Sequence, residues 1–132
     1  MTVVRPAEIT YRQLPGRRSA DPFTAAAAAG GESVVRQVTI EPGVRRTPHR
    51  HPHSEEVTYV VSGRGKLWLD GTYHTVEAGT WVRVPAGVPH ATLADPGDQL
   101  LLVCFFPYPT FEDNIEELDT ILVTPDQEEP DG

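Results

Sequence analysis

Three histidines and a glutamate are spaced so that they can share one metal ion. His49 and His51 stand one residue apart, Glu56 follows five residues after His51, and His90 lies 34 residues beyond Glu56. Three imidazole nitrogens and one carboxylate oxygen suit first-row divalent metals: iron, manganese, nickel, zinc or copper. In an extended strand alternate side chains share a face, so His49 and His51 point to the same side. Pro48 and Pro52 flank them and disfavour helix, which fits an edge or loop-like strand. Glu56 opens the β-branched and aromatic run Val57-Thr-Tyr-Val-Val61 and so projects from a neighbouring strand. His90 follows the turn Pro85-Ala-Gly87-Val-Pro89, which re-aims the chain. All four side chains can meet inside a small barrel. His53 shares the parity of His49 and His51 and replaces one of them if the chain bends at Pro52, while Glu55 competes with Glu56.

Around these residues the chain resembles the cupin family. The first cupin motif is Gly, five residues, His-x-His, three or four residues, Glu, six residues, Gly; Gly43, His49, His51, Glu56 and Gly63 match it. The second motif is Gly, five residues, Pro-x-Gly, two residues, His, three residues, Asn. Gly79, Pro85, Gly87 and His90 match, whereas Ala94 stands at the usual Asn. The 15 residues between Gly63 and Gly79 resemble the short spacing of compact microbial cupins. Nine positions at fixed offsets are far more specific than a lone glycine-rich motif. The resemblance implies an all-β fold, a double-stranded β-helix or jelly-roll barrel over residues 33–107. It also implies His49, His51, Glu56 and His90 as metal ligands, with His53 on the rim, and iron, manganese, nickel or zinc as the cofactor.

The elements that must position these groups are short strands. Ser33 to Glu41 alternates and ends at Glu-Pro-Gly, a strand and a turn. Asp70-Gly71 is the strongest hairpin signal, between strands at 66–69 and 72–76. Further strands are expected at 80–84, 90–93 and 99–106. Outside the barrel, residues 1–32 form an N-terminal extension with a strand at 7–14, a turn at 15–18 and an alanine-rich stretch at 25–29, a short helix or a loop. Residues 108–132 form an acidic C-terminal segment with a short helix expected from Glu112 to Leu122, presenting Ile115, Leu118, Ile121 and Leu122 on one face.

Size and composition narrow the function. A chain of 132 residues is enough for one domain. No stretch approaches the roughly 20 apolar residues of a membrane helix, and the N-terminus lacks the pattern of a signal peptide. The single Cys104 lies in an apolar run, which excludes an internal disulfide and makes the cytoplasm the default compartment. The net charge of −8 belongs to the C-terminal segment: nine of the 19 acidic residues lie beyond Thr110, where there is no lysine or arginine. Residues 1–110 carry eleven basic against ten acidic groups. With no basic stripe, nucleic acid is not an expected partner. The tail from Thr124 onward reads as solvated.

A metal held by four protein ligands in six-coordinate geometry leaves two positions for water, substrate or dioxygen. Small cupins with this ligand set include dioxygenases, isomerases, lyases, decarboxylases and polyketide-type cyclases, so the expectation is a metal-dependent enzyme acting on an oxygen-rich enol, carboxylate or polyketide-like molecule. The competing reading is a non-catalytic cupin module that binds a small ligand as a sensor or accessory protein. On the strand entering the first motif, Val34, Arg36, Val38 and Ile40 share one face, from which Arg36 reaches the pocket or pairs at the surface. Thr58 and Val60 share the face of Glu56 and are expected to line the cavity, with Leu102, Cys104 and Phe106, or else Val103 and Phe105, as an apolar wall. Arg45, Arg46 and Arg50, with Arg64 and Lys66 nearby in sequence, attract an anionic substrate or merely keep an edge soluble. No residue beyond the ligands is singled out as catalytic. Family analogy implies a homodimer.

Overall fold

The structure, a computed structural model, describes residues 2–23 and 31–127. Among the described residues eleven strands form two antiparallel sheets packed as a jelly roll, and the helical content is one 3-10 turn, Pro6–Glu8. The larger sheet has the order β1 (Arg12–Leu14), β2 (Arg17–Ala20), β3 (Val34–Ile40), β10 (Leu100–Phe106), β5 (Glu56–Ser62), β8 (Trp81–Val84). The smaller has the order β11 (Glu116–Glu117), β4 (His49–Arg50), β9 (His90–Ala94), β6 (Arg64–Leu69), β7 (Thr72–Glu77).

Alternation decides which side chains face the interior. On β10, Leu100, Leu102, Cys104 and Phe106 are buried, which makes this set, rather than Val103 and Phe105, the inner wall. They pack with Val38, Ile40, Val60, Leu67, Val76 and Ala94 into the main apolar core. Trp81 and Arg83 face outward while Val84 is buried, and Trp81 lies against Tyr59 with ring centroids 4.4 Å apart. The hairpin at Asp70-Gly71 forms as the sequence predicts: both residues have positive φ, 45° and 100°, and β6 pairs with β7 from Arg64↔Glu77 to Leu69↔Thr72.

Both ends of the chain depart from expectation. The strand expected at 7–14 is reduced to Arg12–Leu14, and the turn expected at 15–18 is only Pro15-Gly16, because β2 begins at Arg17. Arg17–Ala20 pairs with the edge of β3 from Arg17↔Ile40 to Ala20↔Gln37, so ladder hydrogen bonding overrides the local turn signal. The helix expected over 112–122 is absent. Instead Glu116–Glu117 pairs with β4, and Val123 forms a bridge with Arg46. Val123 is buried, whereas Ile121 and Leu122 of the supposed apolar face are exposed; the edge of β4 needed a hydrogen-bonding partner and the segment supplied one in extended form. Both sheets therefore reach beyond residues 33–107. The alanine-rich stretch 25–29 lies outside the described residues, as does the tail from residue 128.

Gly65 marks the closest approach between β6 and β9. A Cβ there would lie 1.9 Å from the main-chain oxygen of Leu93, a contact that only backbone movement relieves. Gly65→Ala is therefore expected to destabilise the fold by about 3 kcal/mol or more, read as a lowered midpoint in urea denaturation. Stability equal to wild type would disprove this close approach.

Candidate metal and substrate site

The site forms where the two sheets face each other. His49 on β4 and His90 on β9 are register partners, which sets their imidazoles side by side with centroids 4.5 Å apart. His51, just past β4, brings its ring to 5.1 Å from each of the others. One nitrogen from each of the three histidines lies within 4.8 Å of the other two. Glu56, the first residue of β5 in the opposite sheet, enters from the other side: its carboxylate oxygens lie 2.9 Å from His90 Nε2 and 3.9 Å from His51 Nε2.

The backbone chooses which nitrogen of each ring faces inward. His51 Nδ1 lies 2.7 Å from the carbonyl oxygen of Asn114, and His90 Nδ1 lies 3.0 Å from that of Val88. A carbonyl only accepts, so each Nδ1 carries the proton and each Nε2 of the neutral ring presents a lone pair to the interior. Both Nε2 atoms are buried without an aligned hydrogen-bond partner. The 2.9 Å approach of Glu56 to His90 is close, but it is not directed along the ring N–H. Acceptors converging on one point, with their orientation held by outer carbonyls, are what a cation-binding centre requires. The donor set fits a divalent transition metal.

Titration of these groups reflects the same crowding. Burial, with His90 and Arg46 nearby, holds His49 well below the ordinary range. Burial also lowers His51, against the opposing pull of Glu56. Burial alone would raise Glu56, yet the two histidines outweigh it and its pKa falls. Burial alone would lower His90, yet Glu56 outweighs it and raises the imidazole. The opposite shifts of His90 and Glu56 have one cause, the attraction between a protonated His90 and the Glu56 carboxylate. Cys104 is inert by comparison, since burial and Glu56 push its thiol far up.

A cavity opens from these groups between the sheets, lined by Phe106, Phe111 and Ile115 and by polar residues of β2 and β3. Arg36, Val38 and Ile40 all line it, as their shared face suggests. Arg36, however, is engaged: it makes two hydrogen bonds to Asp21, of 2.6 and 2.8 Å, and its guanidinium lies 3.4 Å over the ring of Phe111. It builds the wall rather than offering a free charge. Phe106 lines the cavity and stands 4.6 Å from His51, centroid to centroid.

Thr58 and Val60 require a correction. Both are buried and point inward, but neither lines the cavity; Val60 belongs to the apolar core that fills the sandwich beyond Glu56. Along β5 only the residue at the end of the strand meets open space. Of the cations named from sequence, Arg46 alone of the group around the first motif lines the cavity. Arg50 pairs with Glu116, Arg64 with Glu77 and Asp95, and the buried Lys66 with Asp95. His53 is exposed and stacks on Tyr108, and Glu55 pairs with Arg83, so neither replaces a member of the cluster.

Residues that pattern reading missed hold the site in place. Asn114 is completely buried; besides its carbonyl on His51, its Oδ1 accepts from the His53 main-chain N–H and its Nδ2 donates to Ser54 Oγ. It fastens the histidine loop from a segment more than 60 positions away, and nothing in its local sequence marks it. Gly87 donates its N–H to the His51 carbonyl at 2.8 Å with φ at +81°, so the second motif's turn also holds the first motif's histidine.

The motif spacing and this geometry meet in the comparison with known proteins. Residues 36–106 match the Cupin domain family. The chain is a cupin. The protein SchB of Streptomyces halstedii is 39% identical over 71 residues, which cover 52% of this chain and 48% of SchB. The polyketide synthase CurC of Streptomyces cyaneus is 33% identical over 100 residues, covering 68% of this chain and 62% of CurC. The chain thus spans about half to three-fifths of these curated relatives. Among solved structures, the polyketide cyclase RemF from Streptomyces resistomycificus superposes with a TM-score of 0.74 over 89% of this chain and 85% of RemF, at 18% identity. That likeness is one of fold. No helix among the described residues is long and apolar enough to cross a membrane.

Replacing Asn114 with alanine leaves the His53 N–H and the Ser54 hydroxyl without their buried partner. Asn114→Ala is expected to cost about 2–4 kcal/mol of stability, measured by chemical denaturation. A loss below about 0.5 kcal/mol would show that the loop is held by other contacts.

Proposed function

We propose that this cupin is a divalent-metal-dependent enzyme acting on an oxygen-rich small molecule, and that among dioxygenase, isomerase and cyclase chemistry it is a cyclase for an enolised, polyketide-like substrate. The observation that carries the reading is the pair of buried Nε2 lone pairs of His51 and His90 facing the Glu56 carboxylate beside an aromatic-walled cavity. His49, His51, Glu56 and His90 would hold the metal, which is iron, manganese, nickel or zinc. Bound there, it supplies Lewis-acid polarisation of a substrate oxygen. The chain's own contribution is orientation and exclusion of water: Phe106 and Phe111 offer an apolar surface for a ring system, and Arg36 stiffens that wall through Asp21. The names of CurC and RemF support the polyketide class.

Elemental analysis of untagged protein is expected to find about one metal per chain, lost in His49→Ala/His51→Ala. Conversion of an aromatic polyketide precursor should then disappear on chelation and return on reloading. A folded protein that takes up no metal after anaerobic reconstitution would overturn the proposal.

The pH dependence follows from opposite shifts in one pair. His90 is raised above its ordinary 6.5, so its proton stabilises the metal-free fold below that value, and this contribution is lost as pH rises through the raised pKa. Glu56 is lowered from 4.5, so its contribution is present above that value and is lost as pH falls through the depressed pKa. Metal uptake must displace the His90 proton. Manganese affinity is therefore expected to climb with pH in the region above 6.5, releasing about one proton per metal, and then to level off. Glu56→Gln removes what raises His90 and should move that climb to lower pH. A pH-independent affinity over this region would contradict the assignment.

A further inference from the structure

We infer that Arg17, Ser19 and Arg46 form an anion subsite in the cavity wall, and that the substrate therefore carries a carboxylate or comparable anionic oxygen. This rests on the proposed function only in taking the same cavity as the substrate's place.

Arg17 and Ser19 are alternate residues of β2, opposite Ile40 and Val38 of β3, and all four line the cavity. Ser19 is 3% exposed, and its Oγ is buried with no hydrogen-bond partner. A buried hydroxyl left in that state costs stability unless something in the cavity accepts from it or donates to it. Arg46 reaches the same cavity from the loop before β4, where its Nη1 donates to the Thr92 carbonyl at 2.7 Å. A guanidinium has five N–H donors, so one such bond leaves most of them available.

Neither arginine touches an acidic side chain. Among the described residues neither Arg17 nor Arg46 forms an ion pair within 4.0 Å, in contrast to Arg36, whose charge Asp21 neutralises. Glu117 also lines the cavity; its carboxylate accepts from Thr47 at 3.3 Å and acts on Arg46 through space without forming an ion pair. Burial, reinforced by the charge of Arg17, lowers the Arg46 pKa to about 10. Two nearby cations and an unpartnered hydroxyl lining one cavity are complementary to an anion, and Arg presents paired donors that match a carboxylate. Phe106 and Phe111 of the same lining accommodate an aromatic body.

The test compares benzoate with neutral benzamide by ligand-observed NMR titration, on the metal-loaded protein and on the chelated protein. Benzoate is expected to bind at least about tenfold more tightly than benzamide. Arg17→Gln and Arg46→Gln should each erase most of that preference while leaving benzamide binding unchanged, and Arg17→Lys should restore part of it. Ser19→Ala should weaken benzoate by a smaller factor. If a glutamine variant fails to fold, the wild-type preference together with Arg17→Lys and Ser19→Ala still decides. Equal binding of acid and amide, no binding of benzoate, or variants that retain the full preference would overturn the subsite. Metal content measured on the same samples separates the two proposals. A loaded metal without acid preference removes only the subsite, and arginine-dependent acid preference in a protein that takes no metal removes only the metal-dependent enzyme.

Discussion

The carboxylate of Glu56 is surrounded by imidazole lone pairs in the interior of the sandwich, and that arrangement is unfavourable unless a cation joins it. Two outer carbonyls, from Asn114 and Val88, hold the Nδ1 protons of His51 and His90 and so commit both Nε2 atoms to the interior. A buried anion among acceptors costs free energy, and a positive charge at the centre reverses the sign. In the metal-free protein protonation of His90 supplies such a charge, and its attraction to Glu56 shifts the imidazole up and the carboxylate down despite burial. The rest of the structure is organised around holding these groups together.

Each sheet contributes one part of that work. The smaller sheet aligns His49 with His90 by ladder register, and its edge is closed by the extended pairing of Glu116–Glu117. The larger sheet brings Glu56 from the opposite side and continues into a close-packed apolar core, which leaves space only at the end where β5 begins. The polarity of the interior is thus graded along the strands: Leu67, Val76 and Leu100 belong to the dry core, while the ionisable groups cluster at the cavity. A pocket at that end places a ligand against the metal-type centre, among aromatic and cationic lining groups.

The electrostatics of the cavity are divided by partner. Arg36 is a structural cation, tied to Asp21 and laid over Phe111, and the cations around Arg64 and Lys66 are likewise consumed by Glu77 and Asp95. Proximity in sequence to the histidines therefore says little about whether an arginine serves the site. Arg50 lies next to His49 and pairs outward with Glu116, whereas Arg17 comes from a strand about 30 positions away and faces inward.

The sequence alone determined the jelly-roll class and most interior strands through local rules, and pointed to the meeting of His49, His51, Glu56 and His90 through its likeness to the two cupin motifs. Period-two alternation assigns a face, the Asp70-Gly71 dipeptide adopts positive φ readily, and fixed offsets within two motifs bring short segments into register. Only the tertiary structure decided what depends on long-range pairing and on volume. Arg17–Ala20 became a strand because β3 had an open edge, and residues 116–117 became a strand because β4 did, against local signals for turn and helix. Thr58 and Val60 point the right way, yet neighbouring strands fill the space before them. Asn114 is invisible to pattern reading because its role arises from contacts with residues about 60 positions distant. Direction is a property of the chain's own backbone, whereas packing and hydrogen-bond partnership depend on which distant segment arrives.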